Sequence, residues 1–165
     1  MSSFTSTAKV VYFASPFFNP EQIERERRLV GILREQGFIV FAPSESGTLK
    51  PDADEAERNK IFAENVRMIT RADIVFVVTD GKDIGTIWES GFACGLNEYH
   101  RRFNNSNTEF IEKTIVYYCE TLGDNPFNVM LAKSGHMVLT NEQQARQLAA
   151  YILNGMEVKH VGKIQ

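Results

Sequence analysis

The chain has 165 residues, of which 43% are hydrophobic and 24% charged, and its formal net charge is −3. This length supplies one domain with a single core, and the composition is that of an ordinary globular protein. The sequence has no basic patch, so we do not expect nucleic acid or anionic membrane surfaces as partners. No apolar run approaches the length of a membrane span.

The start of the chain and its cysteines are typical of a cytoplasmic protein. Residues 1–8 are polar and lack the apolar core of a signal peptide, so we expect a frayed N-terminus followed by one domain over 9–165. Cys94 and Cys119 both lie in apolar runs, as expected of buried free thiols in a reducing compartment. No His cluster accompanies them, so no metal site is predicted.

The first half of the chain alternates between strands and helices. Asn19-Pro20-Glu21 predicts a helix start, with Asn as the cap and Pro at the first position, and Gly37 ends that helix. Residues 43–54 form a polar loop that is long for so small a domain, and such loops often act as lids or binding loops. Apolar and β-branched runs predict strands, and apolar residues at helical spacing predict a second helix. The strands are expected over 9–14, 38–42 and 73–79, and the helix over 56–71.

The second half continues this alternation. The pattern predicts helices over 86–99 and 128–133, strands over 112–119 and 136–139, and a final helix over 141–153. Together the elements predict an α/β fold. We expect a single-domain, flavodoxin-like (Rossmann-like), doubly wound sheet of five parallel strands with helices on both faces. In such folds ligands bind beyond the carboxyl ends of the strands, so the segments that follow the strands are the expected place for chemistry.

The segment after the first strand is not a phosphate-binding loop. Residues 14–19 lack the glycines of the dinucleotide and NTP motifs, which argues against those ligands. Phe17 and Phe18 stand at the mouth of the predicted sheet instead. Their rings could stack on a flat base, or they could simply pack the following helix against the sheet.

A glutamate follows the third strand closely. Gly85 can make a tight turn and Thr86 can cap the next helix, which places Glu89 three residues into that helix. The spacing matches a capping box, so Glu89 could have only a capping role. Alternatively Glu89 lies in the first turn and faces the crevice, where the helix dipole and free backbone amides favour its carboxylate form. An ionised carboxylate is what attack on a sugar anomeric carbon requires.

Four motifs, in order along the chain, resemble the nucleoside 2-deoxyribosyltransferase family. The most specific is D-x-G-T-x-x-E-x-G-x-A over residues 83–93. The others are YFA-x-PF over 12–17, IF-x-x-N over 61–65 ahead of an Ala-Asp pair, and NVML over 128–131. The resemblance extends over about residues 9–153.

The resemblance implies three catalytic residues. Glu89 matches the family's nucleophile, and Tyr12 matches the tyrosine whose hydroxyl orients that glutamate. Asp83 matches the carboxylate that contacts the base and helps to protonate the leaving nitrogen.

The resemblance also implies substrate-binding residues. Phe13 and Phe17 match aromatic positions that line the base pocket. Asn128 matches an asparagine that reaches the 5′-hydroxyl end of the sugar across a subunit interface, so a homo-oligomer with a shared active site is expected. Asn65 stands where several members have an aspartate, and it cannot relay a proton as a carboxylate does. The tail over 160–165 does not match the aromatic C-terminus of some relatives, and we assign it no role.

The implied activity is the transfer of 2-deoxyribose between nucleobases through a covalent deoxyribosyl-glutamate, with hydrolysis as a side reaction and without a metal or organic cofactor. Its substrates would be a 2′-deoxynucleoside and a free nucleobase, as in nucleotide salvage. One alternative is an N-glycoside hydrolase of deoxynucleoside 5′-monophosphates, although the first loop offers Ser15 and no arginine for a phosphate. Another is a nucleotide-binding or sensing module that does no chemistry.

Overall fold

Twelve elements follow one another along the chain of the computed structural model, which describes residues 8–47, 49–103, 110–160 and 162–165. The frayed start expected over 1–8 lies outside these residues except for Ala8. The strands are β1 (Val10–Ala14), β2 (Ile39–Phe41), β3 (Ile74–Val78), β4 (Thr114–Tyr118) and β5 (Met137–Leu139). The helices are α1 (Pro20–Glu35), α2 (Glu55–Arg71), α3 (Ile84–Phe103), α4 (Val129–Ser134), α5 (Glu142–Ala145) and α6 (Leu148–Leu153), and a 3₁₀ turn spans Pro43–Ser46.

The five strands form one sheet in the order β2-β1-β3-β4-β5, and every neighbouring pair is parallel. This order confirms the predicted flavodoxin-like, doubly wound fold. The chain runs outward from β1 in both directions, first to β2 and then, after α2, to β3. The loops that follow β1 and β3 therefore diverge at their carboxyl ends, and the crevice between them is where such a fold holds a ligand.

Alternating side chains of each central strand reach two separate cores. Val11 and Phe13 of β1 pack on one face among residues of α1 and α5. Tyr12 and Ala14 point to the opposite face, toward α2 and α3. This separation follows from the two-residue period of a strand. It decides which side chains near the end of β1 can reach the crevice.

The start of α1 is the one that the sequence predicts. The Asn19 side chain accepts a hydrogen bond from the backbone N–H of Gln22 at 2.9 Å, and Pro20 occupies the first helical position. The helix ends at Glu35, and Gly37 follows with φ +87°, a conformation that glycine adopts without steric cost.

The single final helix predicted over 141–153 is wrong, because the segment forms α5 and α6 with a break between them. The side chain of Gln36 causes the break. Its amide donates to the carbonyl of Ala145 at 2.9 Å and accepts from the N–H of Ala149 at 3.0 Å. In a continuous helix these two backbone groups would bond to each other, and a side chain inserted between them opens the helix.

Candidate active site

A cleft of about 190 Å³ lies at the carboxyl ends of β1 and β3, at the point where the strand order reverses. The loop after β1, the 3₁₀ turn, α2 and the start of α3 enclose it. Its walls combine two carboxylates with aromatic, aliphatic and amide side chains. The lining residues are Ser15, Phe17, Phe18, Pro43, Gly47, Leu49, Ile61, Asn65, Asp83, Gly85, Thr86 and Glu89.

Glu89 lines this cleft, and Tyr12 lies behind it, in the core beneath the cleft. The Tyr12 hydroxyl, on a fully buried side chain, donates to Glu89 Oε1 at 2.5 Å. β1 supplies the tyrosine and α3 supplies the glutamate, so the bond joins elements 77 residues apart in the chain. The bond fixes Oε1 of Glu89, and among the described residues Oε2 accepts no protein hydrogen bond.

The start of α3 differs from the predicted one. The helix begins at Ile84, and Asp83 acts as its cap, because Asp83 Oδ2 accepts from the Thr86 backbone N–H at 2.7 Å and from the Thr86 hydroxyl at 2.9 Å. Thr86 is therefore inside the first turn, and Glu89 lies in the second. The capping-box interpretation of Glu89 is wrong, since its side chain bonds Tyr12 across the sheet.

The electrostatic environment of Glu89 is the reverse of the expected one. Burial raises the pKa of Glu89 to about 7, the hydrogen bond from Tyr12 opposes this rise, and the negative charge of Asp83 adds to it. The sequence predicts a carboxylate that the helix dipole keeps ionised. The physical reason for the difference is that Glu89 is one turn too far into α3, beyond the free N–H groups, and is largely removed from water.

Asp83 lies at the mouth of the same cleft. Its Oδ2 is occupied by the cap, and among the described residues Oδ1 accepts no protein hydrogen bond. Gly85 permits this arrangement, because a Cβ at that position would lie 3.2 Å from Asp83 Oδ2. One oxygen of Asp83 is therefore held by the protein and the other is left for a ligand.

The model of the nucleoside 2-deoxyribosyltransferase family matches residues 11–163 of the chain. The chain belongs to this family. A search among curated protein sequences finds no match.

Solved structures with the same fold include a 2-deoxyribosyltransferase and a CMP N-glycosidase. The 2-deoxyribosyltransferase from the psychrotolerant bacterium Bacillus psychrosaccharolyticus is 24% identical with a TM-score of 0.69, covering 91% of this chain and 97% of its own. A conserved protein from Enterococcus faecalis V583 is 15% identical with a TM-score of 0.56, covering 96% and 91%. The CMP N-glycosidase BcmB from Clostridium botulinum is 16% identical with a TM-score of 0.52, covering 87% and 99%. At these identities the likeness concerns the fold.

Two substrate-binding residues expected from the family lie in the cleft. Phe17 is half-buried there and stacks on Phe18 at a centroid distance of 5.3 Å, which leaves an aromatic surface at one wall. Asn65 projects from α2 into the opposite side. Four of the seven predicted site residues therefore line one cleft, namely Phe17, Asn65, Asp83 and Glu89, and a fifth, Tyr12, bonds Glu89 from beneath it.

Phe13 is not among the residues that line the cleft. It is fully buried in the core on the other face of the sheet and stacks on Phe76 at 5.3 Å between ring centroids. The physical reason is the strand period: Tyr12 points toward α3, so its neighbour Phe13 must point away. Phe13 is a core residue in this chain and not part of a base pocket within it.

Asn128 also lies away from the cleft of its own chain. Its side chain is exposed at the start of α4 and accepts hydrogen bonds from the N–H groups of Met130 and Leu131, at 2.9 and 3.4 Å. These bonds make it the cap of α4. The C-terminal residue Gln165 lies beside it, since the Val129 N–H donates to the Gln165 carbonyl at 2.6 Å.

A second cavity of about 270 Å³ adjoins the cleft and was not predicted from the sequence. The two share Pro43, Gly47, Leu49, Ile61 and Asn65, and the second adds Ser46, Lys50, Ala53, Glu57, Lys60 and Glu64. The only sequence signal for it is the unusual length of the polar loop after β2. We call this space the outer cavity.

Within the described part of the chain, no group of three or more His, Cys, Asp or Glu residues is arranged to hold a metal ion. No helix in the described ranges has the length and apolarity to cross a membrane.

Proposed function

We propose that this chain transfers 2-deoxyribose between nucleobases through a covalent ester on Glu89, with hydrolysis of that ester as a side reaction. The observation that carries the proposal is the bond from buried Tyr12 to Glu89, which lines a cleft that also presents Asp83 and Phe17. It combines an oriented carboxylate, an acid and an aromatic wall, which are the groups that cleavage of an N-glycosidic bond needs. Membership of the nucleoside 2-deoxyribosyltransferase family supports the same reaction.

The first half-reaction breaks the bond between C1′ and the base. Ionised Glu89 attacks C1′ from the face opposite the base, and the C1′–N electron pair leaves with the base. The departing nitrogen takes a proton from a water molecule held by the Asp83 carboxylate, or from Asp83 in its protonated form. The products of this step are a free base and a deoxyribosyl ester of Glu89.

The second half-reaction restores the enzyme. A nitrogen of another base attacks C1′ and gives its proton to Asp83, and the Glu89 carboxylate leaves. Two displacements give net retention at C1′ and ping-pong kinetics. If water attacks instead, the product is free 2-deoxyribose.

A nucleoside fits the charges of the cleft better than a nucleotide does. Its lining includes the carboxylates of Asp83 and Glu89 and, among the described residues, no lysine or arginine. A 5′-phosphate placed in it would meet like charge without a compensating cation. We therefore propose a 2′-deoxynucleoside and a free nucleobase as the substrates, and a reaction that needs no cofactor.

A second candidate is hydrolysis of deoxynucleoside 5′-monophosphates. Lys50 and Lys60 line the outer cavity and could pair with a phosphate that extends into it. Glu57 and Glu64 line the same space, which weakens that attraction. The CMP N-glycosidase of Clostridium botulinum, which acts on a nucleotide, has the same fold.

Product analysis separates the candidates. The protein is incubated with thymidine or deoxyinosine, with and without free adenine, and in parallel with the 5′-monophosphates. The transferase requires deoxyadenosine to appear from the nucleosides, whereas the hydrolase requires free sugar phosphate regardless of adenine. Binding without any product would favour the sensing module.

The covalent step has its own test. A 2′-fluoro-2′-deoxy-arabinosyl donor slows both half-reactions, because fluorine destabilises an oxocarbenium-like transition state. We expect intact mass to show the attached sugar and peptide mapping to place it on Glu89. Glu89→Gln keeps the shape of the side chain and is expected to lose several powers of ten in turnover. Attachment at another residue, or a variant within about tenfold of the parent, would contradict the mechanism.

A further inference from the structure

The turn between β3 and α3 holds one residue, Lys82, in a backbone conformation that its residue type does not favour. Gly81 has φ +90°, and Lys82, with φ +51°, is the only non-glycine residue with a positive φ in the described ranges. A non-glycine residue in the left-handed region persists only when its surroundings hold it there. The residue that follows this turn is Asp83, so the turn determines where the Asp83 carboxylate lies.

Asp80 anchors the start of this turn to the neighbouring strand. Its side chain is 3% exposed. Asp80 Oδ1 accepts from the Thr121 hydroxyl at 2.6 Å and from the Thr121 N–H at 2.9 Å, and Oδ2 accepts from the Glu120 N–H at 3.1 Å. Three bonds to a carboxylate thus join the end of β3 to the segment after β4.

Asp80 accepts hydrogen bonds from backbone N–H groups and a hydroxyl, and not from the nearby guanidinium of Arg25. Arg25 of α1 is buried beside this region, but its guanidinium bonds Glu120 at 2.6 Å and Glu21 at 2.8 Å. The Cys119 thiol lies at 3.8 Å from Asp80 Oδ1. Asp80 is not part of the cleft lining, so it cannot act on a substrate directly.

We infer that Asp80 is a positioning residue for the active site: its bonds to Thr121 hold the strained turn in the one conformation that presents Asp83 to the cleft beside Glu89. The inference rests on the proposed function for the roles of Asp83 and Glu89. Without the Asp80 bonds, Lys82 relaxes toward negative φ, and the cap that Asp83 forms with Thr86 loosens. The chemical step then slows, because the acid is no longer held at the leaving nitrogen.

The test compares two aspartates of the same strand region. Asp80→Asn removes the charge at the carboxyl end of β3, while Asp73→Asn is the matched control at the opposite end, where Asp73 Oδ2 accepts from the Val10 N–H at 2.7 Å. We expect Asp80→Asn to lower kcat about tenfold to a hundredfold with KM changed by less than about threefold. Asp73→Asn is expected to leave both constants within about twofold.

The pH profile is a readout that a merely structural role of Asp80 would not change. Tyr12 and Asp83 are the ionisable groups that influence the pKa of Glu89, and the Asp83 charge raises it. When Asp83 is no longer held beside Glu89, that contribution falls. The acid limb of kcat is therefore expected to move to lower pH in Asp80→Asn and to stay in place in Asp73→Asn.

Hydrogen exchange of the Thr86 amide decides the inference without any catalysis. This amide donates to Asp83 Oδ2, so a loosened turn exposes it. We expect faster exchange of the Thr86 amide in Asp80→Asn and in Thr121→Val, and unchanged exchange in Asp73→Asn. If Asp80→Asn does not fold, Thr121→Val provides the test in its place. Thr86 exchange equal to that of the parent, or equal acceleration in the control, would overturn the inference even if no deoxyribosyl transfer is found.

Discussion

The pKa of Glu89 results from three neighbouring influences that differ in sign. Burial and the charge of Asp83 raise it, and the hydrogen bond from Tyr12 lowers it, with about 7 as the result. In the proposed reaction Glu89 attacks as an ionised nucleophile, so this balance would set the pH above which that reaction proceeds. The Tyr12 hydroxyl cannot share the ionisation, because burial and Glu89 raise its own pKa far above the ordinary value.

We predict opposite pH shifts for two conservative substitutions. In the parent, kcat should rise with pH through about 7 as Glu89 loses its proton. Tyr12→Phe removes the bond that lowers the pKa, so the rise should move to higher pH, with kcat reduced about tenfold to a hundredfold. Asp83→Asn keeps an oxygen for the cap of α3 and removes the negative charge that raises the pKa of Glu89. The rise of kcat should therefore move to lower pH. Shifts of the same sign in both variants would show that Glu89 is not the titrating group.

The same pKa predicts a pH-dependent stability. A carboxyl whose folded-state pKa is raised from 4.5 to about 7 stabilises the fold fully below pH 4.5, and this contribution is lost as pH rises to 7. At 1.36 kcal/mol per pKa unit the loss is on the order of 3 kcal/mol. Glu89→Gln carries no such proton, so urea unfolding should show its stability relative to the parent increasing between pH 5 and 8. A constant difference across that range would contradict the raised pKa.

At the scale of elements, helix α4 meets the sheet at a glycine. A Cβ at Gly135, directly after α4, would lie 2.5 and 2.7 Å from ring carbons of Tyr117, a buried residue of β4. The Tyr117 hydroxyl bonds Ser134 at 2.9 Å, so the ring cannot turn aside without breaking a contact. The approach of α4 to β4 therefore depends on the absence of a side chain at residue 135.

We predict that Gly135→Ala destabilises the fold by about 1–3 kcal/mol, because the added methyl overpacks a rigid site. Gly95→Ala is the matched control. Gly95 is exposed in the middle of α3, and no atom lies within 4 Å of the position of its Cβ. Alanine there should stabilise the helix by up to about 1 kcal/mol. Chemical denaturation measures the free energy of unfolding of both variants. Equal changes of the same sign in that free energy would contradict the packing described for α4.

On the scale of the whole molecule, α2 is a helix with little of its surface covered. Ile69 is its only fully buried residue among 17. Phe62 of α2 is 58% exposed, and its ring centroid lies 5.7 Å from that of Trp88 of α3. Trp88 is 48% exposed and directly precedes Glu89 in the chain. An exposed aromatic cluster of this kind marks an interaction surface, and we propose a second copy of the chain as its partner. A homo-oligomer would also give Asn128 a cleft to reach, since it does not reach its own.

Mixed oligomers test whether the site is shared. Glu89→Gln and Asn128→Ala are each expected to be nearly inactive alone, and unfolding and refolding them together should restore activity, because a mixed pair contains one intact site. Asn141→Ala is the control for loss of a helix cap, since Asn141 accepts from the Gln144 N–H at 2.9 Å. It should remain active. A monomeric mass in solution, or no recovery on mixing, would contradict the shared site.

The sequence alone determined the order of elements up to β5 and indicated most of the residues that line the candidate cleft. The apolar runs of β1 and β3 and the Asn-Pro start of α1 act locally, so periodicity and cap chemistry were enough to predict them. The motif over residues 83–93 was specific enough to indicate the family and to single out Glu89 and Asp83. The alternation of strands and helices also fixed the parallel sheet, since handedness and short connections leave few topologies.

Only the tertiary structure decided how these residues meet. The direction of Phe13 depends on which side of β1 faces α3, and the break before α6 depends on Gln36, a residue over a hundred positions earlier in the chain. The protonation of Glu89 likewise depends on burial by elements distant in sequence. Local patterns fix the conformation of a segment, whereas burial, charge and side-chain insertion arise only when distant segments pack together.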